Sequence, residues 1–199
     1  MNVVLLGFLA SRTDVAHFSA AERVIRSITG LLIPVTVAMY PRVTRLYSTG
    51  DRAGARRLLR TGGAAVLCAA SFAAAIALAF APELMRLVFG AEFSASAEIL
   101  RIMAPILPIT TVTSLSMTWL MARRSDSTIM RITLTGGALN LALAPILVHA
   151  AGVPGMAVSV LCAEVLAMSL ALAITLRARG GRAGDDQVAG EGSGEAARA

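Results

Sequence analysis

Four polar side chains sit in or beside long apolar runs, where their chemistry needs a reason. Arg23 and Arg26 lie at the head of one such run, in FSAAERVIR at 18–26. Counting back along a helix from Arg42, Arg26 is about 24 Å deep. A guanidinium at that depth in hydrocarbon must pair or face a cavity. Its planar fork suits an anionic group such as a pyrophosphate. The alternative is an anchor paired with Glu22 at i, i+4. Glu164 stands near the middle of the last apolar run. A carboxylate there binds a coupling proton or cation, or hydrogen-bonds a neighbouring helix. Asn140 is polar at mid-depth, as a substrate contact or as glue between helices.

Other reactive residue types form no constellation. His17 and His149 are far apart, and Cys68 and Cys162 fall singly inside apolar stretches as small hydrophobes. No metal-ligand spacing, glycine-rich phosphate loop or nucleophile elbow occurs, so no catalytic residue, metal or cofactor is expected. The pairs Gly62-Gly63 and Gly136-Gly137 suit close helix approach. Pro34, Pro105, Pro108 and Pro145 interrupt apolar runs as hinges or fixed kinks.

The elements that position these residues are membrane helices. The chain has 199 residues, 56% hydrophobic and 15% charged, against about 25% charged in a soluble domain. All 18 cations are arginine. They cluster at the ends of apolar stretches with no aromatic interleaving, which argues against nucleic acid and for the positive-inside rule. Spans are expected at about 24–44, 62–82, 102–122, 132–152 and 153–176. A run of 21 residues rises about 31 Å, the hydrocarbon thickness. Residues 3–10 are apolar but too short to cross, and read as a truncated helix.

The loops orient the bundle. Residues 42–60 carry six arginines against Asp51 and belong inside. The mixed loop 83–101 falls outside, 123–131 inside, 149–154 outside, and the tail opening with Arg177, Arg179 and Arg182 inside. Residues 1–178 thus form the transmembrane bundle, and 179–199 a disordered cytoplasmic tail. DRAGARRLLR at 51–60 suits a helix on the cytoplasmic interface. PELMRLVFGAEF at 82–93 predicts a short outer interfacial helix between Pro82 and Gly90.

The order of these pieces resembles the polysaccharide and oligosaccharide flippases of the multidrug/oligosaccharidyl-lipid/polysaccharide exporter superfamily. The resemblance rests on FSAAERVIR, the Tyr40-Pro41-Arg42 close, GDRAGARRLLR at 50–60, ELMRLVFGAEFSASAEILRIMAP at 83–105, Asn140 and GVPGMAV at 152–158. It implies an all-α polytopic bundle, one six-helix half of a two-bundle transporter with its first helix cut short. It also implies export of an undecaprenyl-pyrophosphate-linked oligosaccharide across the cytoplasmic membrane. The partners would be the bilayer, that lipid-linked substrate, and a missing N-terminal bundle or second chain. Other readings are a multidrug or cation antiporter half, or a non-transporting fragment or scaffold. A glycan-building membrane enzyme fits less well, because the outer loops are short for acid/base groups.

Overall fold

The computed structural model describes residues 6–7, 10–122 and 126–196; these are helices and turns, with no strand among the described residues. Helix α1 (Arg12–Ala38) begins well before the expected span at 24, because Ser11 and Asp14 form a capping box. Ser11 Oγ accepts from the Asp14 amide at 3.2 Å, and the Asp14 carboxylate accepts from the Ser11 amide at 3.3 Å. Two orphan donors of the first turn are thereby satisfied. A single residue, Met39, separates α1 from α2 (Tyr40–Ser48), which has Pro41 in its first turn. Proline lacks the amide a continuing helix would use, so the joint falls there.

Helix α3 (Arg52–Ala79) is capped by Asp51, whose Oδ1 accepts from the Gly54 amide at 2.7 Å. The basic segment 51–60 is therefore the start of α3 and not a separate interfacial helix. No breaker stands between Arg60 and Thr61, so one helix continues into the apolar run. Its 28 residues rise about 42 Å, so the basic turns project past a hydrocarbon layer of about 30 Å. Helix α4 (Ala81–Phe89) is the short helix expected at 82–93, ending at Gly90 with φ 98°. It buries Met85 and leaves Leu87 87% exposed. A 3-10 turn (Ala91–Phe93) leads to α5 (Ser96–Met103) and α6 (Ile106–Ala122).

Helix α7 (Asp126–Ala196) is broken at Gly152 (φ 64°, ψ −141°), a backbone state that glycine adopts without a Cβ penalty. The two arms fold against one another. Ser159 Oγ meets Asn140, and a Cβ on Gly155 would overlap the Leu147 carbonyl oxygen. A Cβ on Gly136 would touch Ala163 and Ala167. Four stretches are long and apolar enough to cross a membrane: Arg12–Ser48, Arg52–Ala79, Ser96–Met121 and Ser127–Leu176. The last, 50 residues, contains the Gly152 break, so it is a hairpin of two arms, one on each side of Gly152.

Beyond Leu176 the backbone continues as helix to Ala196, where composition predicts disorder from 179. Of the truncated helix expected at 3–10, only Leu6, Gly7 and Ala10 are among the described residues.

Two clusters hold the helices together. The larger, at the Gly152 end, joins Phe18, Met85, Leu100, Val148 and Met156. The smaller, at the arginine end, gathers Trp119, Leu120, Ile132 and Ala171, with Tyr47 and Leu59 against them.

Candidate functional site

The two candidate arginines are set by the polarity of α1. That helix buries Phe18, Ala21, Val24 and Ile25 and turns Arg23 and Arg26 outward. Arg26 Nη2 donates to Glu22 Oε1 at 2.7 Å; the side chains are 67% and 10% exposed, respectively. The i, i+4 pair expected as an alternative is therefore formed. It leaves most of the guanidinium open on the outer face of the bundle, so pairing and outward presentation coexist. Ser27, Gly30 and Leu31 continue this open face.

Asn140 and Glu164 lie elsewhere, in a pocket of about 260 Å³ between α6 and the two arms of α7. Thr113, Met117, Thr133 and Gly136 complete the part that concerns Glu164. Glu164 is half-buried. Thr110 Oγ1, on α6, is buried with no hydrogen-bond partner among the described residues. Asn140 is 8% exposed, and its Oδ1 accepts from Ser159 Oγ at 2.7 Å. The structure thus brings Asn140 and Glu164 together and keeps Arg23 and Arg26 apart from them. Neither arginine lines the pocket.

Sequence reasoning missed several polar links. Thr110, Thr113 and Thr133 escaped notice, although Thr110 and Thr113 at i, i+3 on an uncharged helix were a readable signal. His17 Nδ1 and Ser96 Oγ pair at 2.9 Å across 79 residues, with the ring edge-on to Phe93. Trp119 Nε1 donates to the Tyr47 hydroxyl at 2.7 Å across 72 residues. No local pattern announces either. Among the described residues no group of three His, Cys, Asp or Glu side chains could hold a metal.

Apolar helices of spanning length around a small polar pocket, ended by a belt of arginine, define a multi-pass membrane protein. The comparisons give its kin. A family model described as MatE matches residues 1–146, and the chain belongs to that family. It is 34% identical over 172 residues to a protein of Shigella dysenteriae named "Putative O-antigen transporter", covering 83% of this chain and 41% of that relative. A protein of the same name from Escherichia coli (strain K12) is 43% identical over 42 residues, covering 21% of this chain and 10% of its own length. The chain therefore spans about two fifths of the Shigella relative. No solved structure matches it.

Proposed function

We propose that this chain is the C-terminal half of a flippase exporting an undecaprenyl-pyrophosphate-linked oligosaccharide across the cytoplasmic membrane for polysaccharide biosynthesis. The observation that carries the reading is 34% identity over most of the chain to a protein named as an O-antigen transporter. The helices support five crossings: the first three spanning stretches and the two arms of the hairpin. The arginine end lies in the cytoplasm, with the C-terminus on the same side. Arg23 and Arg26 receive the pyrophosphate on the open face of α1, where forked, charge-assisted hydrogen bonds suit it. That face is completed by an N-terminal bundle or by a second chain. Asn140 contributes a polar contact, and Glu164 takes the coupling proton or cation. A multidrug or cation antiporter half of the same superfamily is the second reading, favoured by Glu164 in an interhelical pocket.

Reconstitution in vesicles tests this, with movement of a lipid-linked oligosaccharide and oligomeric state read together. The isolated monomer is expected to be inactive, and pairing with a second bundle to give transport. Robust transport by a demonstrated monomer would overturn the half-transporter reading. Cation-driven dye efflux without oligosaccharide movement would select the antiporter. Arg26→Ala is expected to lower transport on the order of tenfold or more, the loss of one charge-assisted hydrogen bond.

A further inference from the structure

We propose that the arginine end carries a binding surface for anionic phospholipid headgroups, built from α2 and the first two turns of α3. The inference goes beyond transport and needs only that the chain spans a membrane. Arg42 and Arg45 are exposed on α2 at i, i+3. Arg52, Arg56 and Arg60 are exposed on α3 at i, i+4 and i+8, one row along one face, with Arg57 exposed beside them. Like charges at this spacing repel and weaken a helix unless a counter-charge is supplied.

The chain itself supplies little. Asp51 is the acid of this region, and its carboxylate caps α3. The first turn of α3 holds no acidic residue, and the one ion pair among the described residues, Arg26–Glu22, is on α1. The row therefore meets its anion from outside. It rises about 12 Å and ends at Arg60, beside the apolar run from Thr61. At that depth the arginine stem lies along apolar surface and the guanidinium reaches up to the headgroup layer. A phosphodiester without its own ammonium is the complementary anion there. Guanidinium forks grip such phosphates bidentately. No aromatic residue lies between Gly50 and Arg60 to stack a nucleobase.

The test compares phosphatidylglycerol with phosphatidylcholine bound to the full 199-residue chain in mixed micelles, by native mass spectrometry and thermal midpoint. The chain is expected to retain phosphatidylglycerol in preference by on the order of tenfold and to melt later with it. The triple variant Arg52→Gln, Arg56→Gln, Arg60→Gln should lose most of that preference, while Arg86→Gln at the other end keeps it. Should the triple variant not fold, the Arg→Lys triple replaces it. That variant keeps the charge and loses the fork, and a reduced but salt-sensitive preference is expected. Equal retention of the two lipids, or a triple variant indistinguishable from the parent, overturns the proposal. So does displacement of phosphatidylglycerol by a far lower concentration of undecaprenyl pyrophosphate, which would make the surface a substrate entrance.

Discussion

At the Gly152 end, Phe18, Met85, Leu100 and Met156 are fully buried in one continuous core, whereas at the arginine end Trp119, Leu120, Ile132 and Ala171 make a small separate cluster. Polar links cross both ends: His17 to Ser96 at the first, Tyr47 to Trp119 at the second. Lipid tails are as apolar as leucine, so burial from lipid drives little by itself; close packing and interhelical hydrogen bonds do the holding. Contacts are therefore concentrated where the hairpin turns, and the arginine end has fewer to break when helices shift. A bundle that rearranges at one side does so more easily there.

The sharpest way to break this comparison is at the hairpin. Gly155→Val drives a side chain into the Leu147 carbonyl oxygen, where backbone has to move. A loss of about 3 kcal/mol is expected, read as reduced resistance to denaturing detergent. A variant as stable as the parent would show that the arms do not meet there.

Next come two buried truncations, one at each end. Leu100→Ala in the large core is expected to lose about 3 kcal/mol, and Ile132→Ala in the small cluster about 2 kcal/mol, where neighbours can collapse into the gap. Equal losses in the same unfolding assay would erase the asymmetry. Ser159→Ala removes the bond to Asn140 Oδ1 and should lose about 0.6 kcal/mol, the usual scale for such bonds in membranes. Tyr47→Phe, which takes the acceptor from Trp119 Nε1, should fall in the same range; indole fluorescence reports it directly. One further effect has the opposite sign. A Cβ on Gly137 meets nothing within 4 Å, so Gly137→Ala should gain up to about 0.8 kcal/mol of helix propensity, seen as a later melting midpoint.

That last position shows where sequence reading stops. The pair Gly136-Gly137 looked like one close approach, yet only Gly136 touches the other arm, because successive helix residues point about 100° apart. Gly62 and Gly63 do both meet neighbours, Met39 and Leu115 respectively. The hairpin arms, α4 and its Gly90 stop were legible, since hydropathy and breakers are local signals. The extension of α1 back to Arg12 was not, although Ser11 and Asp14 stood in view as a cap. The fusion of 51–60 into α3 was misread because an amphipathic basic segment has the same composition on a membrane surface as at the end of a span. For the site, the types of Arg26, Glu164 and Asn140 were enough to single them out. Their division between an outer face and an inner pocket depends on helix rotation and packing, which the periodicity of all-apolar helices does not encode.

Asn140 and Ser159 are 19 residues apart, and the chain between them turns back at Gly152. During synthesis this matters for the order in which segments enter the bilayer. A polar side chain delivered alone into hydrocarbon carries a penalty until it finds a partner. Here the partner arrives on the very next segment, and the hairpin can close without help from α1, α3 or α6. The two arms can therefore enter lipid as one unit joined by this polar pair, with the earlier helices docking against that face.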